Sequence, residues 1–168
     1  MHIKIEHLLF KRSHVIPLTQ LKGHITYIGK KTLRTNPYFD HELNQTTKSR
    51  FIKLLNSLPS KGNDCGYRMI IHFNKEVSGH DEDVLKEYIR MSMGELQELM
   101  GQNLDWLGIN HFSHDDRLPH THLIISGYNR ESKGKVNLNS YHFLQLEKSL
   151  ISYLSKAVKN GYSLTKPS

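Results

Sequence analysis

The chain has 168 residues, of which 37% are hydrophobic and 23% charged, enough for one globular domain with a full core. A net charge of +7, from 23 Lys and Arg against 16 Asp and Glu, favours a polyanionic partner such as nucleic acid. The sequence has no apolar run of membrane-spanning length and no signal peptide, and its single cysteine, Cys65, excludes an intrachain disulfide and suits the cytoplasm.

In the N-terminal third, apolar residues recur first with the spacing of a strand and then with the spacing of a helix. Pro17 suits the first turn of a helix, where its missing N–H has no partner to lose, and Tyr27 falls on that helix. A run rich in turn-forming residues then predicts a loop. The predicted elements are a strand over 2–10, a helix over 18–29, a loop over 35–46, and a helix over 47–58 capped by Thr46 or Thr47.

The rest of the chain carries most of the predicted sheet. An acidic start at Asp81-Glu82-Asp83 indicates the longest helix, whose apolar face is predicted to include Leu99. Asn139 or Ser140 is placed to cap the last helix. The predicted elements are strands over 67–73, 104–112, 120–126 and 135–138, and helices over 82–101 and 140–160. This order predicts an α+β fold, in which helices flank a central antiparallel sheet of about five strands.

Histidines gather around the start of one of these strands. His120 and His122 are two residues apart, so both side chains project from the same face of the strand. The apolar residues that follow indicate a buried strand, in which imidazoles without partners would be costly. Neutral imidazole is the commonest protein ligand for borderline divalent ions. We therefore predict a metal site at His120 and His122, in preference to two hydrogen-bonded core histidines.

The third ligand has two candidates. His111 is preferred, because it ends the neighbouring predicted strand, and His114, in the following loop, is the alternative. Asp115 and Asp116 are predicted to orient a histidine N–H rather than to bind the ion. Three nitrogen ligands leave coordination positions open, which is typical of a catalytic site rather than a purely structural one. An ion held in this way can stabilise charge that develops on a phosphate.

This pattern resembles the HUH motif (His, hydrophobic, His) of single-strand DNA endonucleases, with Thr121 in place of the hydrophobic residue. Within that superfamily the chain is similar to the relaxase domains of conjugative and mobilisation nickases of the MobA/VirD type, over residues 1–168 as a single domain. His111 lies further from His120 than is usual in the family. The other matching segments are Asn129-Arg130, Gly134-Lys135, Leu138-Asn139 and the N-terminal segment 21–31.

The resemblance implies a metal-dependent enzyme that nicks and rejoins one specific strand of DNA at the origin of transfer of a plasmid or mobile element. Tyr27 would be the nucleophile and would form a covalent 5′-phosphotyrosyl intermediate. A phenol with an ordinary pKa near 10 attacks phosphorus well only when nearby charges favour its phenolate. The ion would be Mn²⁺ or Mg²⁺. The protein would be located in the bacterial cytoplasm, with no membrane partner. Its partners would be single-stranded DNA and accessory relaxosome and coupling proteins.

Basic residues near these motifs are candidates for contacts with DNA phosphates. A relaxase needs a series of such contacts to lead the single strand into its site. Any one of them alone would be an ordinary surface charge, and their position beside Tyr27 or the histidine motif makes them candidates. They are Lys30, Lys31, Arg34, Arg117 and Arg130.

Two alternative functions remain open. Tyr153 belongs to a Tyr-x-x-Lys pattern on the last predicted helix, which resembles the tyrosine of rolling-circle replication initiators of the HUH class. It also shares an apolar stripe with Leu146 and Leu150, which is typical of a core position. The second alternative is a non-catalytic DNA-binding module in which the metal only stabilises the fold.

Overall fold

A computed structural model describes residues 4–8, 18–30, 38–43, 46–58, 66–73, 82–111 and 120–159. These residues form four helices, a five-stranded antiparallel sheet and a two-stranded ribbon. In chain order the elements are β1 Lys4–Leu8, α1 Leu18–Lys30, β2 Tyr38–Phe39, α2 Lys48–Asn56, β3 Gly66–His72, α3 Glu82–Met100, β4 Trp106–His111, β5 His120–Ser126, β6 Tyr128–Asn129, β7 Gly134–Lys135 and α4 Ser140–Lys159. The predicted α+β fold with a five-stranded antiparallel sheet is confirmed.

The central strand of the sheet is β5. The strand order is β1-β3-β5-β4-β2, so β5 has a hydrogen-bonded neighbour on each side. Its residues from Thr121 onward are buried, as expected for a strand covered on both faces. His120 is the Cα partner of His72 on β3 and of His111 on β4, so the register places three histidines in one row across three strands.

Helices cover both faces of this sheet, and each face has its own core. We call the face beneath α1 and α2 the histidine face, because alternation along β5 places His120 and His122 there together with Ile124. The core of the histidine face contains Leu21, Ile25, Ile28, Tyr38, Phe51, Leu55, Leu107, Ile109 and Ile124. On the opposite face α3 and α4 pack against Met69, Ile71, Trp106, Leu123 and Ile125.

The structure departs from the predicted elements at three places. The predicted strand over 135–138 is wrong beyond Lys135: β7 is only Gly134–Lys135 and pairs with β6 in the ribbon, so the fifth strand of the sheet is β2 instead. The predicted loop over 35–46 contains β2, a two-residue edge strand that pairs with β4 and is stabilised by tertiary packing rather than by its own sequence. Gly108 makes this possible, because a Cβ atom there would collide with the Phe39 ring. Leu99 is 47% exposed, not part of the core, because the buried residues of α3 end one turn earlier, at Leu96.

The helix caps agree with the sequence. Thr47 caps α2 by accepting a hydrogen bond from the backbone N–H of Arg50, and Asn139 Oδ1 accepts one from the backbone N–H of His142 in α4. Within the described part of the chain, no helix combines the length and the hydropathy that a transmembrane segment needs.

Thr121, which stands where the HUH motif usually has a hydrophobic residue, belongs to a buried polar chain on the face opposite the histidines. Its Oγ1 donates to Asn110 Oδ1 at 2.6 Å, and Asn110 Nδ2 donates to Glu82 Oε1 at 3.2 Å. Thr121 and Asn110 are also Cα partners. The side-chain bond therefore joins β4 to β5 directly behind His111 and His120, and supports the register that aligns them.

Replacement of Thr121 by valine is expected to lower the free energy of unfolding by about 1–3 kcal/mol. Valine keeps the shape and β propensity but leaves the Asn110 carbonyl buried without its donor. Urea unfolding measures the change. Thr26→Val, at a partly exposed position on α1, is the control and is expected to cost less than about 0.5 kcal/mol. Equal effects of the two substitutions would contradict this role for the hydroxyl.

Candidate metal centre

Three histidines meet on the histidine face, at the end of β4 and the beginning of β5. Nitrogen atoms of His111, His120 and His122 all lie within 4.8 Å of one another. The ring centroids are 5.0 Å apart for His111 and His120, 4.8 Å for His111 and His122, and 5.0 Å for His120 and His122. Imidazoles this close can direct one nitrogen each towards a common ion, at the distance of about 2.0–2.1 Å that zinc prefers.

The environment of His122 keeps its imidazole neutral. The side chain is 9% exposed, and its Nδ1 is buried with no hydrogen-bond partner among the described residues. Burial first, and then the neighbouring His111, His120, His24 and Arg68, lower the pKa of His122 to about 2. A metal ligand must be deprotonated, so a histidine that resists protonation is ready to bind. The donor set therefore fits a divalent ion.

The structure brings together three of the four histidines predicted as ligand candidates. His111, preferred on sequence grounds as the third member, is the one that joins His120 and His122. The alternative His114 lies outside the described residues, as do Asp115, Asp116 and Arg117.

Two further histidines border the cluster, and sequence reasoning assigned neither. The ring of His72, on β3, lies 5.4 Å from that of His120, and the ring of His24, on α1, lies 6.3 Å from that of His122. Arg68 Nη1 contacts both ring nitrogens of His24, at 3.0 and 3.1 Å. Burial first, and the Arg68 charge second, lower the pKa of His24 to about 4. Each residue lies on a predicted element, but finding it required the strand order.

Tyr27 lies on an exposed flank of α1 and is 57% exposed. His24, Tyr27 and Lys30 follow one another at intervals of three, so they form one row along that flank, one turn apart. Lys22 lies on the other flank, where its Nζ donates to Asn56 of α2. Tyr27 is therefore one helical turn from His24, whose ring lies against His122. Tyr27 lies on the flank of α1 that faces away from α2.

Tyr153 lies on the other face of the sheet from the histidines. Its ring stacks on Tyr88 of α3 with 6.1 Å between centroids, and its hydroxyl donates to Glu95 of the same helix. This hydrogen bond, together with burial, raises the pKa of Tyr153. Tyr153 thus lies beside α3 at a partly exposed position rather than in the core that its apolar stripe predicted, and the sheet separates it from the candidate metal centre.

The predicted DNA contacts occupy different places. Lys30 is exposed at the end of α1, whereas Lys31 and Arg34 fall outside the described residues. Arg130 donates from Nε and Nη2 to both carboxylate oxygens of Asp105, at 2.7 Å each. Asp105 precedes β4, whose other end carries His111. Any DNA contact of Arg130 would therefore be roughly 20 Å from His111, by the rise of about 3.4 Å per residue.

The metal-free protein is expected to lose stability as the pH falls from about 6.5 to 5. The folded-state pKa of His122 is about 2, below its ordinary 6.5, so acid protonates the unfolded chain first and favours unfolding. Linkage allows up to about 1.4 kcal/mol per pH unit for one such group. His24 acts in the same direction. Urea unfolding with a chelator at several pH values measures the slope, and a flat profile between pH 7 and 5 would contradict it.

The comparisons with known proteins agree with this fold. No protein-family model and no curated protein match the sequence. Among solved structures, the chain is similar to the MobM relaxase domain (MOBV; Mob_Pre) bound to plasmid pMV158 oriT DNA, in an Mn-bound crystal structure. The TM-score is 0.54 at 13% sequence identity, with 100% of this chain and 91% of that chain covered. The chain therefore has the fold of an HUH-type relaxase domain, as its histidine motif indicated.

Proposed function

We propose that this chain, as one domain over residues 1–168, is a relaxase that nicks and rejoins one strand of DNA at a plasmid or mobile-element origin of transfer. The observation that carries the proposal is the cluster of His111, His120 and His122 on the central strands of a relaxase fold. The similar MobM domain holds manganese and origin-of-transfer DNA. In this chain, His111, His120 and His122 offer nitrogen donors to such an ion.

The three histidines would hold a divalent ion, with Mn²⁺ or Mg²⁺ as the proposed cofactor. When bound, the ion supplies charge stabilisation for a phosphate in the transition state. His122, buried and neutral, gives the site a fixed donor, while His111 and His120 approach from two hydrogen-bonded strands. Asp115 and Asp116 remain candidates for orienting these imidazoles.

Tyr27 is the proposed nucleophile. Its phenolate oxygen attacks the phosphorus, the bond from phosphorus to the 3′ oxygen breaks, and the leaving strand takes up a proton as a free 3′ hydroxyl. The 5′ end stays bound to Tyr27 as a phosphotyrosyl ester, so a 3′ hydroxyl can later reverse the step and rejoin the strand. The exposed flank of α1 gives DNA access to this side chain.

Single-stranded DNA would reach Tyr27 along basic residues near it. Lys30 follows Tyr27 by one helical turn and is exposed, which suits a phosphate contact. Lys31, Arg34 and Arg117 are further candidates, and Arg130 would contact DNA only at the far end of the sheet. Accessory relaxosome and coupling proteins in a bacterial cytoplasm complete the proposed setting.

A covalent adduct tests the proposal. The protein is incubated with Mn²⁺ and a pool of randomised single-stranded oligonucleotides labelled at the 3′ end, the end that stays with the protein, and is then separated under denaturing conditions. The expected result is a labelled protein band that a chelator prevents, and sequencing the bound strands gives the nick site. A double-stranded pool of the same sequences is the control and should give little adduct. If no adduct forms and removal of the metal unfolds the protein, the non-catalytic DNA-binding alternative is supported instead.

The replication-initiator alternative is less well supported. It requires Tyr153 to reach the phosphate that the histidines bind, whereas Tyr153 lies beside α3 on the opposite face. Loss of the adduct in Tyr153→Phe, with an adduct retained in Tyr27→Phe, would reverse this preference.

A further inference from the structure

A fourth imidazole lies beside the three of the candidate metal centre. His72 is the last residue of β3 and the Cα partner of His120, on the side of β5 opposite His111. The rings of His72 and His120 are 5.4 Å apart, against 5.0 Å for each of the pairs that His120 forms within the cluster. Since adjacent strands are about 4.8 Å apart, His72 and His111 flank His120 from Cα positions about 10 Å apart.

His24 is the other neighbouring imidazole, but its surroundings differ. The Arg68 guanidinium contacts the His24 ring at 3.0 and 3.1 Å, and it can only donate. A neutral imidazole has one acceptor nitrogen, so a hydrogen bond from Arg68 occupies the lone pair that a metal would need. The fixed charge of Arg68 also disfavours a nearby cation. His24 is therefore the poorer candidate for an additional ligand, and His72, whose ring is nearer to the cluster at 5.4 Å against 6.3 Å, is the better one.

We propose that His72 is a fourth nitrogen ligand, which ions that prefer tetrahedral coordination, Zn²⁺ above all, recruit by a rotation of its side chain. Zn²⁺ sites with four protein ligands are closed, whereas Mn²⁺ and Mg²⁺ favour six-coordinate sites rich in oxygen ligands. A six-coordinate ion at three histidines keeps positions for phosphate oxygens. This inference rests on the proposed metal site. It concerns which ions leave coordination positions free for the phosphate.

The consequence is discrimination between metals by coordination number. Zn²⁺ binds nitrogen ligands more tightly than Mn²⁺, so a three-histidine site alone would favour zinc. With His72 added, zinc is held with no position left for the phosphate. Zinc would then inhibit nicking by closing the site, and removal of His72 would weaken that inhibition.

Cobalt spectroscopy tests the ligand directly, without reference to activity. Co²⁺ in four-coordinate sites absorbs visible light several-fold more strongly than in six-coordinate sites, so the wild-type protein is expected to give the stronger bands and His72→Gln the weaker ones. In His72→Gln the Kd for Zn²⁺ should rise about 10-fold or more, while that for Mn²⁺ changes by less than about 3-fold. His41→Gln, at an exposed position, is the matched control and should leave both spectrum and affinities unchanged.

A second variant provides a positive signal. In a Cys65→Ser background, His72→Cys should add a near-ultraviolet sulfur-to-cobalt charge-transfer band if position 72 reaches the ion. Near-ultraviolet circular dichroism checks that each variant is folded. Unchanged cobalt bands and zinc affinity in folded His72→Gln, with no charge-transfer band in His72→Cys, would overturn the role of His72 while leaving the three-histidine site in place. Failure of wild-type protein to bind any of these ions would overturn the proposed metal site itself.

Discussion

Replacement of Tyr27 by phenylalanine is expected to abolish the covalent protein–DNA adduct and to lower the nicking rate by about 1,000-fold or more, the scale of loss when a catalytic nucleophile is removed. Phenylalanine removes one oxygen atom from a 57% exposed side chain, so folding and metal binding should be unchanged. Denaturing gels measure the adduct, and Mn²⁺ titration calorimetry confirms that the metal centre is intact.

The matched control is Tyr141→Phe, because Tyr141 is also exposed, at 54%, but lies on α4. Its adduct should equal that of the unmodified chain. An adduct that persists in Tyr27→Phe would contradict the assignment and transfer it to another residue. His24 would then be examined first, because its ring lies against His122 and a neutral imidazole is also a nucleophile once Arg68 no longer donates to it. A phosphorus–nitrogen bond to histidine is hydrolysed by mild acid, whereas phosphotyrosine survives, so the two adducts are distinguishable.

Replacement of His111, His120 or His122 by alanine is expected to weaken Mn²⁺ binding by about 100-fold or more. Loss of an outer partner of a metal ligand costs about 10–100-fold, and loss of a ligand should cost at least as much. Mn²⁺ titration calorimetry, with electron paramagnetic resonance of the free ion, measures the affinity. DNA nicking at fixed Mn²⁺ should decrease in parallel, because phosphate activation depends on the ion.

His114→Ala and His41→Ala serve as comparisons. His41→Ala removes an exposed histidine from the surface and should not change the affinity. His114→Ala tests the alternative third ligand that the sequence left open. Loss of Mn²⁺ binding in His114→Ala, with binding retained in His111→Ala, would contradict the assignment drawn from the ring separations of 5.0 and 4.8 Å that His111 makes.

The parts of the site predicted from sequence are those fixed by local geometry. His120 and His122 share a face because strand side chains alternate, a property that needs no knowledge of the fold. The helix that carries Tyr27 follows from apolar spacing and Pro17, and its observed bounds, Leu18–Lys30, agree with the prediction within one residue. The choice of His111 depended on one further step, the pairing of two strands that are consecutive in the chain.

The parts that sequence did not yield depend on contacts between distant segments. His72 reaches His120 because β3 and β5 are neighbours, although α3 and β4 separate them in the chain. β2 exists because Gly108 leaves space for Phe39, a complementarity visible only when both are in place. Leu99 has helical spacing, but its exposure depends on where the core ends. Each of these facts follows from strand order and packing limits rather than from local propensity.

Because each face of the sheet has its own core, the histidines and Tyr27 are anchored differently in the fold. The histidines belong to the central strands, which are hydrogen-bonded on both sides. Tyr27 belongs to α1, which contributes Leu21, Ile25 and Ile28 to the smaller of the two cores. A DNA end joined to Tyr27 would be tethered to the more weakly anchored part. Movement of α1 could carry that end away from the ion and back without disturbing the ligands, so that the anchored strand and the ion separate between cleavage and rejoining.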